Sequence, residues 1–148
     1  MENAITVLVI DDNVELLEVL AEGLELAGPF TVFTASDGAQ GLEDCLTYHP
    51  DCLVIDVKMP QLNGYQLVRA LRGDQETAEI PLILLTALAQ DYERFAGLAA
   101  GTDRYLIKPV TPRELAAVIQ EVVALSEQER QQHYQQLVED EEDQQINE

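Results

Sequence analysis

Five polar residues stand where apolar runs stop. Asp11 and Asp12 follow the run 5–10, Asp56 follows 52–55, Thr86 follows 82–85, and Lys108, with Pro109 after it, follows 105–107. Gathered in one place, three carboxylates would repel each other unless something compensates them. A hard divalent cation is one answer. Mg2+ (or Mn2+) takes oxygen ligands, keeps some waters and uses one or two carboxylates together with phosphate oxygens. A second chemistry is compatible with the first. One carboxylate can attack phosphorus and become an aspartyl-phosphate, while the metal and a nearby lysine neutralise the transferring phosphoryl group. A hydroxyl such as that of Thr86 then has a phosphate oxygen to donate to.

The elements between these residues decide whether they meet. Residues 5–10, 31–35, 52–55, 82–85 and 105–107 read as strands, nearly continuous in apolar residues, as strands buried on both faces are. Helical spacing occupies residues 13–27, with Leu16, Leu17, Leu20, Leu24 and Ala27 on one stripe, and then 37–49, 63–72 and 91–100. Thr111-Pro112-Arg113-Glu114 supplies a cap, a proline at the first helical position and a glutamate at the third. It starts a last helix expected to run through at least Leu125. Strand and helix alternate five times, which implies right-handed crossovers and a parallel sheet covered on both faces. Neither GxGxxG after the first strand nor GxxxxGK[ST] anywhere is present. The expected architecture is therefore the other common doubly wound one: a three-layer, flavodoxin-like (βα)5 fold with strand order 2-1-3-4-5. Its sites lie at the carboxyl ends of the strands.

Composition narrows the function classes. The chain has 148 residues, enough for one domain, and 47% hydrophobic residues, enough for a core built without tryptophan. A net charge of −20 opposes phosphate backbones and anionic lipid, so neither nucleic acid nor a membrane is an expected partner. No apolar run approaches the ~20 residues of a membrane span, and the first six residues lack a secretory pattern. Two cysteines, Cys45 and Cys52, make no disulfide framework, and a reduced, cytoplasmic setting is expected. Residues 126–148 hold eight acids and one base and are rich in Gln and Glu, so the globular body is expected over 1–125 and an acidic extension over 126–148. That extension reads either as a frayed tail or as a continuation of the last helix carrying Tyr134, Leu137 and Val138.

The residues at the strand ends carry a family resemblance. Asp11-Asp12, Asp56, Thr86 and Lys108-Pro109, within VLVIDDN, LVIDVKMPQLNGYQLVRALR, IPLILLTA and AAGTDRYLIKPVTPREL, resemble the receiver domain of two-component response regulators over residues 5–125. The resemblance implies that Asp56 is the phosphoacceptor. It implies Asp12 and Asp56 as direct Mg2+ ligands, Asp11 as a ligand largely through water, and the backbone carbonyl of Lys58 as a further ligand. Thr86 is implied as the hydroxyl that turns toward the phosphoryl group, with the small Ala87 beside it. Tyr105 is the aromatic that moves with Thr86, Lys108 is the ion pair to the acceptor, and the Lys108–Pro109 bond is expected to be cis.

Each residue also has a plainer reading. Asp12 with Glu15 has capping-box spacing, Thr86 alone reads as a turn residue, Lys108 as a solvated lysine and Tyr105 as packing. Met59-Pro60 and Gly64 read as shaping the loop after Asp56. It is their joint placement that favours the receiver. The implied function is a stand-alone regulator that is not an enzyme beyond its own phosphorylation and dephosphorylation. A histidine kinase or phosphotransfer protein is the expected donor. A downstream protein is the expected target, met through the face from Asp91 to Leu125, with homodimerisation left open. The rivals are a module of a larger regulator, a phosphorylation-independent interaction domain and an aspartyl-phosphate phosphatase. Many such phosphatases place a second acid two residues after the nucleophile, where this chain has Lys58.

Overall fold

Strands β1 (Ile5–Ile10), β2 (Phe30–Ala35), β3 (Cys52–Asp56), β4 (Leu82–Thr86) and β5 (Arg104–Ile107) form one parallel sheet in the order β2-β1-β3-β4-β5. The computed structural model describes residues 4–59, 63–87 and 101–125. Four helices are described: α1 (Val14–Ala27), α2 (Gly38–Tyr48), α3 (Gly64–Arg72) and α4 (Pro112–Ala124). The helix expected over 91–100 and the extension 126–148 lie outside the described residues.

Side-chain alternation along the strands builds two cores. Val7, Val9, Cys52, Val54, Ile83 and Leu85 face α1 and α4, while Leu8, Ile10, Leu53, Ile55, Leu82 and Leu84 face α2 and α3. The inner strands β1, β3 and β4 are buried along apolar stretches until the ladder ends. There the backbone emerges at the sheet's carboxyl edge and polar side chains become affordable only with partners.

The helix starts are fixed by side-chain caps. Thr111 and Glu114 form the reciprocal box read from the sequence, and Asn63 forms one with Gln66. Asp37 accepts from the backbone N–H of Gln40, whose own side chain turns away to Asp44, leaving that box half made. At α1 the structure corrects the sequence: the cap is Asn13, which accepts from Leu16 N–H, and not Asp12. Asp12 is thereby released from a capping role. Two strands each begin one residue earlier than read, at Phe30 and Arg104, because neighbouring strands extend the ladder. Helix α4 stops at Ala124, one residue short of the expected Leu125, whose ψ of 138° is extended. His49 ends α2 in the left-handed region at φ 47°. Among the described residues no helix is long and apolar enough to cross a membrane.

Candidate functional site

Three loops at one edge of the sheet hold the titratable cluster. Asp11 leaves β1 tied to β2 by its N–H on the Ala35 carbonyl, and its carboxylate accepts from Asn13 N–H at 2.9 Å. Asp56 is the last residue of β3, opposite Leu85 in the register. Lys108 follows β5 and is anchored by its own N–H on the Thr86 carbonyl at 2.7 Å. From there its ammonium reaches two carboxylates at once, Asp56 at 2.8 Å and Asp11 at 3.2 Å. Asp11, Asp56 and Thr86 are 1%, 5% and 1% exposed, while Asp12 is exposed and Lys108 is partly so.

Burial pushes the Asp56 carboxyl above its usual range. The Lys108 hydrogen bond opposes this, and the charges of Asp11 and then Asp12 reinforce it. Burial by itself pulls the Lys108 ammonium down, but its bonds and charge attraction to Asp56 and Asp11 outweigh that, and it is held more tightly than an ordinary lysine. Part of the apolar wall is a cavity of about 330 Å3 lined by Leu16, Leu20, Leu85, Pro109 and Val110 together with Lys108.

The donor set fits a hard cation. One carboxylate oxygen from each of Asp11, Asp12 and Asp56 lies within 4.8 Å of the others. Opposite ligands of an octahedral Mg2+ stand about 4.2 Å apart. Two direct carboxylate bonds and a third through water suit that spacing without rearranging the backbone. All three donors are oxygens, and none among the described residues brings sulfur or imidazole to the cluster.

The structure brings Asp11, Asp12, Asp56, Thr86 and Lys108 to the same edge. The Lys108–Pro109 peptide is cis. Lys58 is exposed just beyond Asp56, and Ala87 is exposed just beyond Thr86. Tyr105 is half-buried against the core shared with α2 and α3, one strand residue away from the face that carries Leu106. Leu88 and Pro60 lie outside the described residues. Cys45 and Cys52 are both buried and outside any disulfide among the described residues; burial, with Asp44 nearby, raises the Cys45 thiol to about 12, so it packs rather than reacts.

Sequence reasoning missed the anchor at the opposite edge. Arg72, at the end of α3, donates to the carbonyls of Gly101 and Ala78, each at 2.8 Å, and meets Asp103 at 3.5 Å. Asp103, 1% exposed, also accepts from Leu82 N–H at 2.8 Å and donates its own N–H back to Leu82. This knot fixes the start of β5 beside the start of β4, and therefore the height at which Lys108 emerges. The available signal was an acid immediately before a strand.

Comparison with known proteins agrees with this geometry. A family model described as "Response regulator receiver domain" matches residues 7–120. The transcriptional regulatory protein PrrA of Mycobacterium tuberculosis is 43% identical over 111 residues, covering 75% of this chain and 46% of that protein. The alkaline phosphatase synthesis transcriptional regulatory protein PhoP of Bacillus subtilis is 36% identical over 121 residues, covering 82% of this chain and 49% of that protein. The chain thus spans about half the length of the curated relatives it matches. Among solved structures, the chemotaxis response regulator CheY4 of Vibrio cholerae superposes with a TM-score of 0.73 at 28% identity, over 81% of this chain and 99% of that one.

Proposed function

Since the chain belongs to the response regulator receiver domain family, we propose that it accepts a phosphoryl group on Asp56 and changes its protein contacts when it does. The observation that carries this reading is the bridge from Lys108 to Asp56 and Asp11 at 2.8 and 3.2 Å, beside a third carboxylate within metal-sharing distance. A buried acid held by one ammonium has a nucleophilic oxygen and little competing solvent.

A histidine kinase or phosphotransfer protein is the donor. An Asp56 carboxylate oxygen attacks the phosphorus of its phosphohistidine. The new O–P bond forms as the N–P bond breaks, and the imidazole nitrogen keeps the electron pair and takes up a proton. Bound Mg2+ supplies charge neutralisation for the phosphoryl oxygens. Asp11 and Asp12 would hold it with Asp56 and the Lys58 carbonyl, while Lys108, bonded to Asp56, keeps the carboxylate oriented. Dephosphorylation is water attack on the same phosphorus, which regenerates Asp56. No other turnover is assigned to the chain, so it acts as a signalling domain and not as an enzyme on external substrates.

Thr86 lies at the acceptor edge, and its strand pairs with β5, which carries Tyr105. A phosphoryl group that draws the Thr86 hydroxyl therefore alters the β4–β5 surface and the face from Asp91 to Leu125, where a downstream protein binds. A net charge of −20 opposes direct nucleic-acid contact by these residues. Two buried cysteines held outside any disulfide among the described residues support a cytoplasmic setting. The same site serves as the input module of a larger regulator, a second reading favoured by relatives of which the match covers about half.

Incubation with acetyl phosphate and Mg2+ followed by intact-mass measurement tests the chemistry. Wild type is expected to gain one phosphate and Asp56→Asn none. Equal labelling of both, or labelling of neither, overturns the assignment.

A further inference from the structure

We propose that Gly64 is a positioning residue for the metal pocket, acting through the backbone of Asp56 and Val57; this rests on the receiver reading above. The glycine opens α3, and its conformation does not require glycine, since no glycine among the described residues has a positive φ. Its need is one of space. A β-carbon at Gly64 would stand 2.6 Å from the carbonyl oxygen of Asp56, 2.8 Å from the Cα of Val57 and 3.2 Å from the carbonyl carbon of Asp56. All three are backbone atoms of the acceptor and its successor, so no side-chain rotation relieves the overlap. The bare Cα lets the first turn of α3 rest directly on the end of β3.

Two further contacts hold it there. Gly64 N–H donates to the Val57 carbonyl at 3.0 Å, closing the loop that leaves β3. The capping box of Asn63 and Gln66 fixes the turn in which Gly64 sits. Val57 is itself pinned on the other side by its N–H on the Leu85 carbonyl at 2.9 Å. The peptide linking Asp56 to Val57 is thus clamped between β4 and the tip of α3. The Asp56 side chain precedes that clamp and the Lys58 carbonyl follows it, so the clamp sets the spacing between two of the implied metal ligands.

Mg2+ demands near-ideal octahedral geometry and tolerates displaced ligands poorly. Relieving the overlap at Gly64 requires backbone movement of about 0.5–1 Å to restore van der Waals spacing. A positioning role therefore predicts weaker Mg2+ binding by the folded protein. A glycine that merely permits packing predicts lower stability with unchanged affinity.

Mg2+ binding is measured by titration calorimetry on wild type, Gly64→Ala and Gly73→Ala, under conditions where urea unfolding shows each fully folded. At Gly73 a β-carbon approaches nothing closer than 3.4 Å, making it the control at the other end of α3. Gly64→Ala is expected to raise the Mg2+ dissociation constant about tenfold or more, with Gly73→Ala within twofold of wild type. Should Gly64→Ala not fold, Asn63→Ala decides: it loosens the same turn without adding bulk, and a severalfold weakening is expected. Wild type that binds Mg2+ while the Gly64→Ala or Asn63→Ala affinity stays within twofold overturns the inference, as does equal weakening in Gly73→Ala. Wild type that binds no Mg2+ overturns the receiver reading itself.

Discussion

Asp56→Asn is expected to make the metal-free protein more stable. The carboxylate oxygens of Asp11, Asp12 and Asp56 lie within 4.8 Å of one another. At an effective dielectric of about 20, each like-charge pair at that distance costs about 3.5 kcal/mol. Removing the Asp56 charge abolishes two such pairs, a relief of about 7 kcal/mol, and forfeits one attraction to Lys108 at 2.8 Å, worth about 6 on the same scale. The balance is about 1 kcal/mol in favour of asparagine, and the cost of burying a carboxylate adds to it with the same sign. The upward displacement of the Asp56 carboxyl agrees: its ionised form is disfavoured by the fold, so its contribution to stability falls as pH rises from 3.8 through the folded value. Urea unfolding at neutral pH in EDTA measures the difference, with equal slopes required for the comparison. Mg2+ at ten times its dissociation constant then stabilises wild type by about 1.4 kcal/mol. The variant, having lost a ligand, gains less, so its advantage narrows or reverses. An asparagine variant less stable than wild type in EDTA would refute the electrostatic reasoning.

Lys58→Ala is expected to shorten the life of the acyl phosphate severalfold, because an exposed side chain two residues past the acceptor shields it from water; an unchanged loss of label by mass disposes of this. Arg72→Met leaves the buried Asp103 carboxylate without its guanidinium, and a loss of about 3 kcal/mol in urea unfolding is expected, with Mg2+ affinity unaltered. Lys108 holds its proton more tightly in the fold, so its contribution is complete below pH 10.5 and is lost as pH rises through the folded value. As pH rises above 10.5 wild type should therefore lose more stability than Lys108→Met, and parallel losses would contradict the ion bridge.

The fold was legible because the central strands carry unbroken apolar stretches. Val7 to Ile10, Cys52 to Ile55 and Leu82 to Leu85 serve both cores, and alternation between them cannot be satisfied by a one-faced sheet. The site was legible for the same reason inverted: Asp56 and Thr86 are polar residues at the last rung of buried strands, where only a partnered group is tolerated. What escaped the sequence depends on three-dimensional proximity. Whether Asp12 or Asn13 caps α1 is a choice between adjacent residues of similar capping strength, settled by where the strand ends. Arg72 and Asp103 are 31 residues apart and have no pattern in common. Gly64 reads as a loop residue until the acceptor's carbonyl is seen against it.

These missed contacts and the recognised ones form a single device. The site needs four chain segments to end at the same height, and the sheet alone does not guarantee this, since β5 has only four residues to define its register. At the near edge Lys108 N–H is bonded to Thr86; at the far edge Asp103 is bonded to Leu82 in both directions. With both ends fixed to β4, β5 cannot slip, and a one-residue slip would turn every side chain to the opposite face. On the other side of β4, Val57 is bonded to Leu85 and capped by Gly64. β4 is therefore the strand against which both the acceptor and its ammonium are measured, and Thr86 is its last residue. Under the proposed function, a group that moves Thr86 would act on the element that already holds Asp56 and Lys108 in register, giving chemistry at one carboxylate a route to the surface of the fold.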